Sequence, residues 1–383
     1  MFRTVHLTLC LNLLVFLALT GELAAQSSGQ ARIIGRVRDA ATGQPLSNVN
    51  VFIANSMLGS ATNGVGFYSI AHVPLGTHKL VVSRIGYAVQ TSKVWLTKNV
   101  EKRIDFALKP AVLQAPEIEV IEPVSSEWKK NFKKFKEMFL GTSRNARKCK
   151  LLNPEVLDFK VDNQNHTFRA TASQMLEIEN RALGYHIDYF LEGLETKKQV
   201  VQYRGLTKFK PLTPKNAKEN KKWQKNRLKT YKGSFRHFLA ALIAHRLEEE
   251  GFLLYECPFG EPVIDQTDLN PVDAQGLISE GDYPFERKLH FLSFLQVNYT
   301  EALEEREYIY WRLNKYSIQT RESVMAHRES LRPREQISWI LMNRTYANVD
   351  TTGYLFEPLA VKTYGYWAWK RVADMLPLEY RPK

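Results

Sequence analysis

GRVRDAATGQPLSNVNVFIANSMLGSATNGVGFYSIAHVPLGTHKLVVSRIGY, residues 35–87, is a succession of short alternating runs divided by turn residues. The turn DAATGQ (39–44) separates RIIGRVR (32–38) from VNVFIA (49–54), where Val49, Val51 and Ile53 fall on one face. Asn63 and Gly64 precede GFYSI (66–70), and VPLGTH (73–78) turns into KLVVSRIGY (79–87). Further on, KVWLT (93–97) leads through Lys98 and Asn99 to RIDFAL (103–108), with Ile104, Phe106 and Leu108 sharing a face. Period-two alternation bounded by Gly, Pro, Asn and Asp marks strands. Each apolar face needs a cover, and two sheets facing each other supply it within a short chain. A seven-strand β-sandwich is therefore expected over residues 31–110.

The same stretch resembles the carboxypeptidase-regulatory-like domain, a transthyretin-like β-sandwich. The resemblance rests on Gly35, Val37 and Asp39, Thr42-Gly43, Pro45-Leu46, Val49 and Val51, Gly64 to Phe67, Pro74 and Gly76, and Ile85-Gly86-Tyr87. Family members usually carry Thr-Asp before the turn at Gly64. Here it is Thr62-Asn63, and Asn suits the same left-handed turn. The resemblance implies a non-catalytic domain: it accompanies zinc carboxypeptidases without carrying their zinc ligands. It also implies the company of exported and outer-membrane proteins of Bacteroidota-like bacteria, TonB-dependent receptors included, where such a domain acts as a spacer or contact unit. Fold alone does not give function.

The chain opens with Arg3, an apolar run from Leu7 to Leu19, and small residues ending in Ala24 and Ala25 before Gln26. That is the layout of a secretory signal peptide over residues 1–25, and the run is short for a membrane span. An uncleaved anchor is the other reading. Cys10 lies inside the run, not at its end, so it does not mark a lipid anchor. No later segment of the mature chain reads as a transmembrane helix. The formal net charge of +13 falls on the mature protein, because Arg3 and Glu22 cancel. An exported location, periplasmic or outer-membrane-associated, makes nucleic acid an improbable partner. Acidic polysaccharide, lipopolysaccharide phosphates or an anionic membrane surface fit the charge better, as does simple solubility. Cys149 and Cys257 remain after the signal segment. They are either one disulfide, which an oxidising compartment permits, or two free thiols packed as small apolar side chains. Neither belongs to a Cys-x-x-Cys pair.

Residues 111–125 read as a linker with Pro116 and Pro123 around the run Ile118 to Ile121. The remainder, 126–383, is expected to form a larger α+β domain, mostly β, so that the whole chain is mostly β. Ser125-Ser126 offers a cap to a helix whose Trp128, Phe132, Phe135 and Phe139 recur at helical spacing, with Gly141 closing it. The stripe either packs on the second domain with its lysines in solvent, or lies on an anionic membrane. ALGYHIDYFLEGL and KQVVQYRGL read as paired strands. Ser234 caps a helix expected to run to about Glu250, where Gly251 ends it. REYIYWRL, EQISWILMN and AVKTYGYW read as strands, and YWAWKRVADMLP as a last short helix.

Candidate chemistry is sparse. His245 and Glu248 form a His-x-x-Glu spacing of the kind zinc carboxypeptidases use for two ligands. On the expected helix, however, the pair sits beside Glu249 and Glu250 on a charged end, and no His-Glu-x-x-His pattern includes His237. No Gly-x-Ser-x-Gly elbow exists, and Ser234 is explained as a helix cap. Glu177 with Glu179, or Asp188 with Glu192, could line a strand face as a glycosidase pair does, or simply be solvated. No phosphate loop is present and no cofactor is expected. Two basic clusters, Lys129–Lys150 and Lys215–Lys232, interleave aromatics, as surfaces for anionic ligands do. Lys129, Lys133, Lys221, Lys225 and Arg227 are the candidates, and the clusters gain meaning if they meet in space. The leading expectation is a non-catalytic cell-envelope protein whose sandwich positions an α+β domain for an envelope partner or anionic glycan. The alternative is an envelope hydrolase acting on peptide or glycan, possibly metal-dependent. A cleft gathering His186, His237 or His245 with carboxylates would favour that alternative.

Overall fold

The computed structural model describes residues 30–111, 125–197, 200–257, 269–315 and 331–382. The signal segment and most of the linker, including Ile118 to Ile121, lie outside the described residues.

The N-terminal unit is a sandwich of two four-stranded sheets. Its strands are β1 (Gln30–Asp39), β2 (Asn50–Ile53), β3 (Gly59–Ala61), β4 (Phe67–Pro74), β5 (Gly76–Ser83), β6 (Gln90–Leu96), β7 (Glu101–Arg103) and β8 (Phe106–Leu108). One sheet joins β4 to β1 antiparallel and β1 to β7 and β8 parallel; the other runs β3-β2-β5-β6. The expected seventh strand is interrupted, which gives eight. At Ile104-Asp105 the chain leaves the ladder, and Asp105 Oδ1 accepts the Arg36 N–H at 2.7 Å in place of a strand carbonyl. Alternation along β1 buries Ala31, Ile33 and Val37 against Val51, Ile53, Leu80 and Val82 of the facing sheet. Asp39 organises the first turn: Oδ1 accepts from the N–H groups of Ala41 and Thr42, and Oδ2 from the Tyr87 hydroxyl at 2.8 Å. The Thr42 N–H, then the Tyr87 hydroxyl, holds its carboxyl below the usual range. Asp39 and Tyr87, two of the residues that carry the family resemblance, thus touch each other.

The middle sheet is built on the hairpin β13 (Tyr185–Lys197) and β14 (Val200–Pro211). On the other edge of β13 lie β11 (Thr167–Ala172) and β12 (Leu176–Asn180), flanked by β10 (Leu157–Asp162) and β9 (Cys149–Leu151). Helix α1 (Ser126–Phe139), capped by Ser125 Oγ, buries Phe135 and Phe139 against Phe168, Ile187 and Tyr189. Its lysines face solvent, as the packed reading of the stripe requires. Helices α2 (Ala217–Tyr231) and α3 (Phe235–Ile243) follow. Then comes a five-stranded sheet of β15 (Phe252–Cys257), β16 (Asn270–Pro271), β19 (Phe294–Leu303), β20 (Glu335–Met342) and β22 (Val361–Gly365). A three-stranded sheet of β17 (Ile278–Glu280), β18 (Glu286–Leu289) and β21 (Ala347–Asp350) packs with it. Residues 126–382 therefore hold two cores, one around Phe135 and Ile187 and one around Phe238, Phe252 and Ile340.

Three local readings are corrected. REYIYWRL lies in a helix, α4 (Arg306–Lys315). Its aromatics suit a strand, but Tyr308, Ile309 and Arg312 are its buried positions, a helical face, and Tyr308 packs edge-on to Tyr366 at 5.0 Å. The helix capped by Ser234 stops at Ile243, because His245 takes a left-handed backbone (φ 55°). AVKTYGYW is strand over Val361–Gly365 alone, and Tyr366–Trp369 is a helical turn, α5. The two cysteines are both free. Cys149 belongs to the middle core and Cys257 to the cluster of Phe294 and Trp339, so no disulfide joins them.

The sandwich is welded to the rest of the chain. Strands β2 and β5 read VFIA and LVV without alternation, because both faces are covered. Phe52, Ala54 and Val81 turn outward and pack on Leu206 of β14 and partly buried Met175 and Phe190. Asn55, in left-handed backbone (φ 61°), is the hub. Its N–H donates to Thr207 O at 2.7 Å and its carbonyl accepts from Leu378 N at 2.9 Å. Its side chain donates to the Tyr354 hydroxyl at 3.0 Å and accepts from Thr207 Oγ1 at 2.8 Å. Asn55→Ala loses two side-chain hydrogen bonds and replaces a residue that tolerates left-handed backbone with one that does so less well, so a loss of about 2 kcal/mol is expected by urea denaturation. Asn55→Gly loses the same two bonds but suits the left-handed backbone, so it should lose less than Asn55→Ala.

Candidate functional site

The two basic clusters do meet. Helix α2 is docked on the turn before β13 by side chains that cap backbone carbonyls. Trp223 Nε1 donates to Arg181 O at 2.9 Å, Asn226 Nδ2 to Ala182 O at 2.8 Å, and Arg227 Nε to Leu183 O at 2.7 Å. This fixes the face of α2 that carries Lys222 and Asn226. Opposite lies the loop after α1. Gly141 (φ 91°) ends that helix, and a 3-10 turn at Ala146–Lys148 follows. Asn145 anchors the loop, donating to Thr230 Oγ1 at 3.0 Å and Asp374 Oδ1 at 2.8 Å. The start of α4 closes the third side.

The result is a cleft of about 640 Å³ with five cations on its walls: Arg144, Arg147, Lys148, Lys222 and Arg306. Its single carboxylate, Glu307, is shared between Arg144 at 3.2 Å and Arg147 at 3.4 Å. Tyr310 adds a ring beneath the Arg306 guanidinium, 5.5 Å from it, and accepts its hydrogen bond. Lys148 is held below the ordinary lysine range first by the close approach of the Lys222 amine, then by burial and the Lys222 charge. Two ammonium groups that crowd each other are stabilised by an anion placed between them. The chemistry on offer is anion recognition: forked guanidinium donors for planar or tetrahedral oxyanions, ammonium point charges beside them.

The residues expected for such a surface are placed differently. Lys129 and Lys133 lie exposed on α1 and Lys221 is exposed on α2, all outside the cleft lining. Lys225 lines a separate pocket on α2. Arg227 is structural: besides capping Leu183 O, it stacks on Tyr185 with its guanidinium carbon 4.2 Å from the ring centroid. Lys148 and Lys222 fall inside the two clusters, where spacing alone does not distinguish them from their neighbours. Arg306 and Tyr310 gave no signal, because their segment reads as a strand.

The catalytic and metal candidates do not converge. His245 and Glu248 are both exposed, beyond the end of α3, so they do not share a helix face. His237 is buried and packs on Tyr231 and Phe252. Its Nδ1 accepts from Gly233 N at 3.1 Å, so Nε2 carries the proton toward Glu250 Oε2, also at 3.1 Å. Burial holds its pKa below the ordinary histidine value against the pull of Glu250. His186 lies on β13 against Asp188 at 2.9 Å, and Lys210 occupies the other oxygen of Asp188 at 2.7 Å. Glu192 sits at a β-bulge between Leu191 and Gly193, which breaks its register with Asp188. Glu179 is paired with Arg181 at 3.1 Å. Ser234 caps α3 through the His237 N–H. Neither the cleft nor the second pocket is lined by a histidine. Among the described residues no group of three or more His, Cys, Asp or Glu could hold a metal ion, and no helix is long and apolar enough to cross a membrane.

Residues 33–120 match the family model of the CarboxypepD_reg-like domain, so the N-terminal sandwich is such a domain. No curated protein matches the chain. Among solved structures, the chain is similar to a type II cohesin–X-dockerin complex from Acetivibrio cellulolyticus at 18% identity, over 20% of this chain and 52% of that one, with a TM-score of 0.17. It is also similar to a candidate carbohydrate-binding protein from Bacteroides uniformis (13% identity, 42% and 60% covered, TM-score 0.18). A candidate membrane-associated protein of unknown function from Bacteroides fragilis compares at 15% identity, 43% and 65% covered, and a TM-score of 0.18. The chain spans about half the length of the first of these.

Proposed function

We propose that this chain is a non-catalytic cell-envelope protein that binds an anionic glycan in the cleft between α2, the loop after α1 and the start of α4. The observation that carries the reading is the imbalance of the walls: five cations face one carboxylate, which two of the arginines already share. The interlocked sandwich supports a positioning role, since Asn55 and Phe52 hold it rigidly against the body that carries the cleft. The apolar run from Leu7 to Leu19 before Ala25 supports export. A repeating polyanion suits an open, multi-cation surface, because each added contact releases counter-ions and field focusing speeds encounter.

The test is calorimetric titration of the full chain with alginate and with neutral dextran at low and high salt. Alginate binding that weakens steeply with salt is expected, as is a loss of tenfold or more in the Arg147→Ala/Lys148→Ala/Lys222→Ala triple variant. All three side chains are exposed, so the variant should stay folded. Equal binding of dextran, or alginate binding untouched by the triple substitution, sinks the proposal.

A further inference from the structure

A second pocket of about 320 Å³ opens on another face of α2. Lys225 and Lys229 of the helix, Lys232 beyond its end, Ala302 and Tyr299 of β19 and Trp367 of α5 contribute to its lining. Gln336 of β20 also lines it and is only 6% exposed. Its Nε2 donates to Leu303 O at 3.2 Å, which fixes the orientation of the amide. Its Oε1 is buried and has no hydrogen-bond partner among the described residues. A buried carbonyl oxygen left unpaired is costly, and native proteins retain few of them without a use. The neighbouring Gly233 leaves the space beside this oxygen free of a side chain: a β-carbon there would stand 2.9 Å from it and 2.6 Å from the Tyr299 ring.

The charges around the pocket are unevenly spent. Lys229 and Lys370 are both turned to Glu305, at 3.8 and 2.9 Å. Lys225 and Lys232 are exposed, and among the described residues neither has a carboxylate partner. Glu301 also lines the pocket, so it presents an orphan acceptor inside and a net positive rim of four lysines against two carboxylates. A fully ionised phosphate or sulfate answers the charge but has no proton for Gln336. A neutral sugar answers Gln336 but leaves the lysines unused. A molecule that carries hydroxyl donors and a carboxylate answers both, and the volume lies at the small-molecule end of ordinary binding pockets. We infer that this pocket binds a monosaccharide-sized sugar acid, with a hydroxyl donating to Gln336 Oε1 and the carboxylate between Lys225 and Lys232. The site is separate from the glycan cleft and does not depend on it.

The experiment is saturation-transfer NMR with competition on the full chain, using D-glucuronate, D-glucose, sulfate and glycine as probes. Glucuronate is expected to bind, with each of the others at least tenfold weaker. Gln336→Leu and, separately, Lys225→Ala/Lys232→Ala should each weaken glucuronate tenfold or more. Two variants guard against misfolding: the lysine pair is on the surface, and Gln336→Leu removes the orphan acceptor without adding bulk, at the loss of one hydrogen bond to Leu303 O, so its melting temperature should fall only slightly. The cleft triple variant should bind glucuronate as the parent does, which separates this site from the cleft. Competition by sulfate or glycine at glucuronate's own concentration overturns the inference. So do glucuronate binding that survives Gln336→Leu and the absence of any glucuronate signal.

Discussion

Gly184→Ala is expected to destabilise the protein by about 3–4 kcal/mol and to abolish anion binding at the cleft. Gly184 has φ 72°, a backbone where a β-carbon is strained. A β-carbon there would also stand 2.3 Å from Cε3 and 2.4 Å from Cδ2 of Trp223. That indole is only 2% exposed and is pinned by its bond to Arg181 O, so it has no room to yield. The strain and the overlap act together, and relief requires α2 to lift from the turn. Lifting α2 breaks the Asn226 and Arg227 caps on Ala182 and Leu183, and carries Lys222 away from Lys148. Urea denaturation with alginate titration checks both halves of the expectation. Gly184→Ala/Trp223→Leu should recover part of the lost stability, because the smaller side chain removes the overlap. A Gly184→Ala protein with parental stability and parental binding would show that the docking of α2 does not set the cleft.

The sandwich was legible in the sequence because its signals are local. Asp39, Gly43, Asn63 and Gly66 hold turns whose geometry their own side chains or φ values require, and alternation along β1 survives in the burial of Ala31, Ile33 and Val37. The hairpin of β13 and β14 was legible for the same reason. What could not be read was long-range. VFIA and LVV looked like half-buried strands, yet their second face is covered by Leu206 of a distant strand. The Tyr308 helix was masked by residues that favour strands, and only its packing on Tyr366 and Trp369 decides the matter. The cleft combines both effects. Lys148 and Lys222 stood inside visible basic clusters, but which of their neighbours face the same space depends on how α2 caps the 181–184 turn. Arg227, one of the five candidate cations, is consumed by that docking.

Lys370→Met should cost about 3–5 kcal/mol at neutral pH, and the cost should shrink as the solution is acidified. Lys370 Nζ lies 2.9 Å from Glu305 Oε1 and 3.7 Å from Asp374 Oδ1, with its ammonium over the Trp369 ring. Burial pushes the Glu305 carboxyl up, but the Lys370 charge and hydrogen bond, with Lys229 and the Tyr366 hydroxyl, hold it below the ordinary range. Burial likewise pulls Lys370 down, and Asp374 and Glu305 more than reverse this, so its pKa is raised. A carboxyl with a depressed folded pKa stabilises above its unfolded value, about 4.3, and loses that contribution as pH falls through the folded one. A raised lysine stabilises fully below its unfolded value, about 10.4, and loses that contribution as pH rises through the folded one. The parent should therefore hold a plateau between these two ranges. Methionine keeps the apolar stem over Trp369 but takes from Glu305 and Asp374 the ammonium they share, with Lys229 as the remaining cation near Glu305, at 3.8 Å. Protonation then relieves the variant where it weakens the parent, and the two stability curves should converge toward pH 4. Urea denaturation at pH 7 and pH 4.5 measures this, and Glu305→Gln/Lys370→Met should recover part of the loss at pH 7. A penalty that stays constant across that range would mean that Lys370 stabilises through its stem on Trp369, with its charge contributing nothing.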